Sequence, residues 1–135
     1  MKSPKTAFLA LLLFMAGTFT FSQTSASTSK APEKQAKVNV YYFHFNTRCA
    51  TCRAVESEAQ ADVKELFGDD VSFAAYNLDD KAGEAKGKEL GVSGQTLLIV
   101  KGNQQFNITT EGFMYARTNP KKFRQIIEEK IKPLL

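Results

Sequence analysis

An apolar run at residues 38–45 limits the possible folds of this chain more than any other sequence feature. Its residues, Val-Asn-Val-Tyr-Tyr-Phe-His-Phe, are mostly β-branched or aromatic and lack the regular polar alternation of a strand with one face in water. Runs of this kind are typical of strands that are buried on both faces. We therefore predict a central strand here, which ends at the polar residues Asn46, Thr47 and Arg48.

A helix and a second strand follow this run. Between residues 49 and 67, apolar side chains recur at spacings of four, four and three, the stripe of a helix packed on one face: Val55, Ala59, Val63 and Leu66. Gly68 closes the helix, and residues 71–78 form a second strand-like run. Because a strand, a helix and a strand in succession form a right-handed crossover, we predict that the two strands are parallel.

Four more elements complete the predicted fold. Residues 81–90 have the composition of a short surface helix. Residues 96–100 and 104–110 form a hairpin, because the turn between them is too short for a crossover. The last helix starts at Asn119-Pro120. The predicted class is α/β, in the order βαβαββα, with a mixed four-stranded sheet flanked by helices.

The composition restricts the class of protein. The chain has 135 residues, of which 43% are hydrophobic and 24% are charged, as in a globular protein of one domain. The two cysteines are too few to hold a small scaffold together without a core. The formal charge is +4, and without Lys2 and Lys5 it is 16 minus 14, or +2. This weak, dispersed charge predicts no nucleic-acid partner.

The first residues have the pattern of an export signal. Lys2 and Lys5 precede an apolar run at residues 7–16, and small and polar residues follow. We predict a signal peptide over residues 1–22, with cleavage between residues 17 and 27. The apolar run is shorter than the ~20 residues of a membrane-spanning helix, and a retained anchor is the alternative.

The rest of the chain divides into a leader and a domain. Residues 23–37 are rich in Ser, Thr and Lys and predict a flexible leader, and residues 38–135 hold the domain. No cysteine follows the signal as a lipid anchor would require. We therefore expect a periplasmic or secreted protein with no stable membrane anchor after the signal is removed. The sequence leaves its oligomeric state open.

Two segments carry a resemblance to a known family. They are residues 42–52, Tyr-Phe-His-Phe-Asn-Thr-Arg-Cys-Ala-Thr-Cys, and residues 90–100, Leu-Gly-Val-Ser-Gly-Gln-Thr-Leu-Leu-Ile-Val. Over residues 38–135 the chain resembles the thioredoxin superfamily, and within it the small exported group named as a nitrophenyl-compound nitroreductase subunit. The resemblance implies a thioredoxin-like fold and thiol-disulfide exchange with a protein thiol or disulfide partner. No residue indicates a flavin site, and we expect no cofactor.

The resemblance assigns the chemistry to Cys49 and Cys52, which lie where the first strand becomes the first helix. A thiolate at a helix N-terminus is stabilised by unpaired backbone N–H groups and by the helix dipole, so we expect Cys49 to be the nucleophile. Cys52 lies about one helical turn further on and is the expected resolving cysteine. Outside the cytosol the two can persist as a disulfide. Arg48 and Arg53 flank them, and their positive charge is expected to favour the thiolate.

Two alternatives to thiol-disulfide exchange remain open from the sequence. In the first alternative, the disulfide between Cys49 and Cys52 is purely structural, and the chain is an interaction domain without exchange activity. In the second alternative, the two thiolates bind a soft metal ion such as Cu(I) or Zn, with His44 as a further ligand. His44, the only histidine, is otherwise expected to be packed and hydrogen-bonded within its strand. We predict thiol-disulfide exchange and no metal site.

The chain departs from the family at the position of its cis-proline. Gln95, before Thr96, stands where the family has the proline that faces the two cysteines. A cis bond without proline costs ~3 kcal/mol, so we predict a trans bond between Gly94 and Gln95. Gln95 and Thr96 would then form a reshaped substrate ledge, with the loop displaced, Cys49 more open and general disulfide-reductase activity low.

A second departure concerns proton transfer. Phe43 stands where the family has a buried aspartate that moves the proton of the resolving cysteine. Glu56, four residues after Cys52 on the same helix face, is the candidate substitute. A last segment, residues 112–117 with adjacent Phe, Met and Tyr, is either a lip that binds a partner or a cover over the sheet, and we favour the cover.

Overall fold

The structure is a computed structural model that describes residues 36–135. The predicted signal peptide and most of the predicted leader lie outside these residues. None of the helices in this range combines the length and the apolar composition of a membrane span. The strands are β1 (Val38–His44), β2 (Val71–Asn77), β3 (Thr96–Lys101) and β4 (Gln104–Asn107). The α-helices are α1 (Ala50–Phe67), α2 (Lys81–Leu90), α3 (Thr109–Tyr115) and α4 (Pro120–Ile131), and two 3-10 turns cover Gly68–Asp70 and Lys132–Leu134.

The four strands form one mixed sheet in the order β2-β1-β3-β4. β1 pairs with β2 in parallel, from Val38 opposite Val71 to His44 opposite Asn77. It pairs with β3 in the antiparallel sense, and β3 and β4 form the antiparallel hairpin. The central position of β1 and the mixed sheet are therefore confirmed. The carboxyl end of this central strand carries the chain into α1.

The main core lies between one face of the sheet and the helices α1 and α4. Side chains of β1 and β3 on this face are almost fully buried together with apolar residues of the two helices, among them Val55, Val63, Phe123, Ile127 and Ile131. Burial of each such side chain contributes about 1.5–3 kcal/mol. On the other face, α2 lies close to β1, where Lys86 Nζ stands 5.0 Å from the ring centroid of Tyr41. Helices thus flank both faces, as predicted.

The chain after β3 differs from the prediction. The fourth strand was expected over residues 104–110, but it ends at Asn107, and Thr109–Tyr115 form the additional helix α3. The Asn107 side chain explains the end of the strand, because its Oδ1 accepts hydrogen bonds from the Thr109 N–H at 3.0 Å and the Thr109 hydroxyl at 2.6 Å. The observed order is βαβαββαα.

α3 also decides the role of residues 112–117. Gly112 is buried, and a Cβ at this position would meet Val55 at 3.1 Å and Phe123 at 3.5 Å, so α3 packs closely on α1 and α4. Phe113 and Tyr115 pack against the core, whereas Met114 is 53% exposed. The segment mainly covers the core, as favoured, but it does so as a helix that leaves Met114 at the surface.

Candidate functional site

The two cysteines lie at the start of α1, directly after the central strand and a short loop. Cys49 is the N-cap residue, in an extended conformation, and Cys52 is in the first turn of the helix. They form a disulfide with a distance of 5.1 Å between their Cα atoms. The Cys52 N–H, one of the free donors of the helix start, donates a hydrogen bond to Cys49 Sγ at 3.0 Å. The fold therefore directs a backbone donor at the sulfur that was predicted to be the nucleophile.

The two sulfurs differ in their access to solvent. Cys49 is exposed, whereas Cys52 is 4% exposed and belongs to the buried residues of α1. A thiolate or disulfide of another molecule can therefore reach Cys49 much more easily than Cys52. This asymmetry is the one expected for an attacking and a resolving cysteine.

The flanking arginines interact with groups other than the sulfurs. Arg48 forms an ion pair with Glu56, and its guanidinium lies 5.9 Å from the ring centroid of Tyr42. Arg53 Nη1 donates a hydrogen bond to the Arg48 carbonyl oxygen at 2.9 Å. Within residues 36–135, no hydrogen bond joins either guanidinium to a sulfur. The Glu56 carboxylate partly neutralises the charge of Arg48, so Arg53 is the less compensated cation near Cys49.

Tyr42 is a site residue that the sequence analysis missed. Its hydroxyl donates a hydrogen bond to the Cys52 carbonyl oxygen at 2.9 Å, from β1 to the first turn of α1. Burial raises the pKa of Tyr42 above its usual value, and the nearby Arg48 opposes this effect. The phenol therefore remains a donor at neutral pH and fixes the Cys52 backbone against the sheet. Its position within an apolar strand gave no signal of this role.

Gln95 lies next to the resolving sulfur. Every peptide bond within residues 36–135 is trans, including the bond between Gly94 and Gln95, as predicted. The displacement of the loop stays a prediction, but its Gln95 side chain reaches the buried sulfur, with Oε1 at 3.7 Å from Cys52 Sγ. Thr96 is buried and donates its hydroxyl to the Gly94 carbonyl oxygen at 3.0 Å, so it orders the loop from within.

A groove continues from Gln95 over the surface of α3. It encloses about 480 Å³ and is lined by Gln95, Thr109, Thr110, Phe113 and Met114. Four of these residues belong to α3, the helix that the sequence analysis did not predict. The only signal in the sequence was the run of Phe113, Met114 and Tyr115, which was interpreted as a cover over the core.

Solved structures resemble this arrangement of strands and helices. Trxlp from Edwardsiella tarda EIB202 matches with a TM-score of 0.50 and 17% identity over 69% of this chain and 84% of that chain. The zinc-bound form of human ERp44 matches with a TM-score of 0.52 and 17% identity over 70% of this chain and 27% of that chain. Thioredoxin f2 from Chlamydomonas reinhardtii matches with a TM-score of 0.45 and 15% identity over 73% of this chain and 83% of that chain. The fold is thioredoxin-like. Neither a protein-family model nor a curated protein matches the sequence.

Neither of the two positions considered for a proton-transferring carboxylate, 43 and 56, provides one to Cys52. Phe43 is fully buried, and its ring stacks on Tyr76 with 5.7 Å between centroids. Because successive strand residues point to opposite faces, Phe43 lies on the face opposite Tyr42 and Cys52. Glu56, the candidate substitute, is paired with Arg48 instead. The described residues thus offer Cys52 no carboxylate partner.

A metal site receives no further ligand from the described residues. His44 is half-buried, and its Nδ1 lies 3.1 Å from the Phe45 carbonyl oxygen, so it is hydrogen-bonded, as expected. Within residues 36–135, no three side chains of His, Cys, Asp or Glu come together as metal ligands. A soft metal ion would have to be held by the two thiolates of Cys49 and Cys52 alone.

Proposed function

We propose that the protein is a thiol-disulfide oxidoreductase that exchanges disulfides with a protein partner through Cys49 and Cys52. The observation that carries this proposal is the asymmetry of the two sulfurs. Cys49 is exposed and receives a backbone N–H at 3.0 Å, whereas Cys52 is buried behind it. A structural disulfide requires neither the donor nor the difference in exposure.

In the first step, the exposed sulfur forms a bond to the partner. When the protein is reduced, the Cys49 thiolate attacks one sulfur of a partner disulfide, and the other partner sulfur leaves as a thiolate. When the protein is oxidised, a partner thiolate attacks Cys49 Sγ, and Cys52 leaves as a thiolate. In both directions the product is a mixed disulfide between Cys49 and the partner. The N–H of Cys52 stabilises the thiolate form of Cys49.

In the second step, the mixed disulfide is resolved. During reduction of a partner, Cys52 attacks Cys49 Sγ, and the bond between Cys49 and the partner breaks. The products are the Cys49–Cys52 disulfide and the second thiolate of the partner, whose disulfide is now fully reduced. The first turn of α1 holds the two cysteines with 5.1 Å between Cα atoms, so this attack needs no large movement of the backbone. Tyr42 contributes by fixing the Cys52 carbonyl group at 2.9 Å.

The proposed location is the periplasm or the outside of the cell. The export pattern of residues 1–22 supports it, and a disulfide between Cys49 and Cys52 persists there. The resemblance to the group named as a nitrophenyl-compound nitroreductase subunit remains a prediction. Under this proposal a protein of that group would act on the thiols or disulfides of its partner.

The test measures transfer between the full chain and a peptide that carries two cysteines. The oxidised chain is mixed with the reduced peptide, and the reduced chain is mixed with the oxidised peptide. We expect transfer in at least one direction, and Cys49→Ser is expected to lose it, because buried Cys52 cannot start the reaction. Transfer is followed by alkylation of free thiols and mass measurement.

Two results would contradict the proposal. One is transfer in neither direction above the rate of glutathione, which would leave a structural disulfide. The other is an unchanged rate in Cys49→Ser, which would show that the exposed sulfur is not the site of attack. Cys52→Ser is the matched control, because it keeps Cys49 and must still form the first bond.

A further inference from the structure

One polar side chain approaches the buried sulfur of the cysteine pair. Cys52 Sγ is bonded to Cys49 in the disulfide. Within the described residues, its one other side-chain partner is Gln95, whose Oε1 lies 3.7 Å away. In the reduced protein, a thiol at this position can donate a hydrogen bond to an amide oxygen. Gln95 comes from the loop before β3, 43 residues after Cys52.

The other ionisable groups near Cys52 are directed elsewhere. The titratable or charged side chains nearest Cys52 in the sequence or on the elements around it include Tyr42 and His44 on β1, Arg48 before α1, Arg53 and Glu56 on α1, and Glu111 and Tyr115 on α3. Within residues 36–135, no hydrogen bond or ion pair joins any of them to Cys52 Sγ. Tyr42 reaches only the Cys52 carbonyl oxygen, and Arg48 and Glu56 pair with each other.

We propose that Gln95 binds the Cys52 thiol during exchange and holds it protonated until Cys49 has formed a mixed disulfide. The inference rests on the proposed function and assigns a role to one more residue of that site. The Gln95 oxygen accepts the hydrogen of the thiol but, as a neutral amide, does not take the proton. Together with burial, this contact favours the thiol form of Cys52 over its thiolate.

The proposal makes resolution the slow step. In the mixed disulfide, Cys52 must lose its proton before its sulfur attacks Cys49 Sγ. The bond between Cys49 and the partner then breaks, and the released partner thiolate takes a proton from solvent. The products are the Cys49–Cys52 disulfide and one partner thiol, so atoms and electrons balance without another oxidant. Because no carboxylate assists, the step depends on the small fraction of Cys52 that is ionised near neutral pH.

A carboxylate at the position of Gln95 provides the test. Glutamate has the same length as glutamine and can take the Cys52 proton. The reduced full chain is mixed with excess glutathione disulfide, quenched with acid, and weighed to follow the glutathione adduct of Cys49. We expect Gln95→Glu to clear this adduct at least roughly tenfold faster than the wild type at neutral pH, as general-base assistance requires.

The control is Gln105→Glu, which makes the same change of charge on the exposed part of β4. It is expected to clear the adduct at the wild-type rate. In the wild type, the clearance rate is expected to rise between about pH 6 and pH 9, as a thiol ionises. A role of Gln95 in packing alone would not give the acceleration in Gln95→Glu, whereas the rise with pH tests that ionisation of the Cys52 thiol limits the step.

Failure of this inference is distinguishable from failure of the proposed function. If the adduct forms on Cys49 but Gln95→Glu clears it no faster than the wild type, the role of Gln95 is overturned. A wild-type clearance rate that is flat with pH overturns it as well, whatever the variant does. If the reduced wild type forms the Cys49–Cys52 disulfide without a detectable adduct on Cys49, resolution is fast and the role of Gln95 is overturned. If it forms neither the adduct nor that disulfide, the proposed exchange function itself is wrong.

Discussion

Replacing Cys52 with alanine should turn the protein into a covalent trap for its partner, whereas replacing Cys49 with alanine should trap nothing. In Cys52→Ala the Cys49 thiolate can still attack a disulfide, but no second sulfur is present to release the product. The backbone N–H at position 52 survives the substitution and still reaches Cys49 Sγ. The carbonyl group at this position also remains available to Tyr42. The attacking half of the site should therefore remain intact.

The measurement is the accumulation of mixed disulfide when each reduced full-length variant meets glutathione disulfide or an extract of exported proteins. We expect nearly complete conversion of Cys52→Ala. In Cys49→Ala the remaining thiol is the buried one, and we expect almost none. Equal trapping by the two variants would reverse the assignment of roles. The thermal unfolding of both variants serves as the control that each has folded.

Replacing Gly83 with alanine should strongly destabilise the fold. Gly83 is a buried residue of α2, and a Cβ at this position would overlap the carbonyl group of Asn77 at the end of β2. The obstacle is backbone, which cannot rotate away as a flexible side chain does. Alanine gains up to about 1 kcal/mol in helix propensity, but overpacking of this kind costs about 3 kcal/mol or more. We expect the free energy of unfolding to fall by roughly 2 kcal/mol or more.

The same substitution should disturb the loop before Cys49. The Asn77 side chain donates a hydrogen bond to Asn46 Oδ1 at 2.6 Å, and Asp79 Oδ2 accepts the Asn46 N–H at 2.7 Å. The end of β2 thus holds the loop that leads to the cysteines. Urea unfolding of the oxidised full chain measures the effect. Gly94→Ala is the control, because a Cβ there meets nothing within 4 Å, and a Gly83→Ala protein as stable as this control would contradict the predicted overlap.

The elements predicted well are those in which local pattern and tertiary burial agree. Residues 49–67 were predicted as a helix, and α1 runs from Ala50 to Phe67 with Cys49 as its N-cap. Its apolar stripe is the face that packs on the sheet, so the spacing of the apolar residues was enough to predict both the helix and its buried face. β1 was predicted for the same reason, since a run without polar alternation is stable only between two layers.

α3 was missed because its residues carry no such pattern. It has seven residues, begins with Thr109, Thr110 and Glu111, and contains Gly112, a poor helix former. Its position depends on the Asn107 side chain and on the close contact of Gly112 with α1 and α4. The Asn107 contact is a local turn within residues 107–109, but the packing of Gly112 is a tertiary interaction that no window of the sequence shows.

The same division between local pattern and tertiary contact applies to the site. The positions of Cys49 and Cys52 follow from their spacing and from the junction of strand and helix. The contacts of Tyr42 and Gln95 with Cys52 join residues that are 10 and 43 positions apart, and they depend on how β1 and the loop before β3 meet α1. The pairing of Glu56 with Arg48 likewise depends on the path of the loop before α1.

The redox potential of the Cys49–Cys52 disulfide tests the central claim most directly. The full chain is equilibrated in glutathione or dithiothreitol buffers of defined potential, the free thiols are alkylated, and the reduced fraction is measured by mass. A disulfide that serves exchange should titrate as one two-electron step between about −270 and −120 mV, the range of proteins that exchange disulfides. A disulfide that remains oxidised below about −300 mV, as structural disulfides do, would contradict the account.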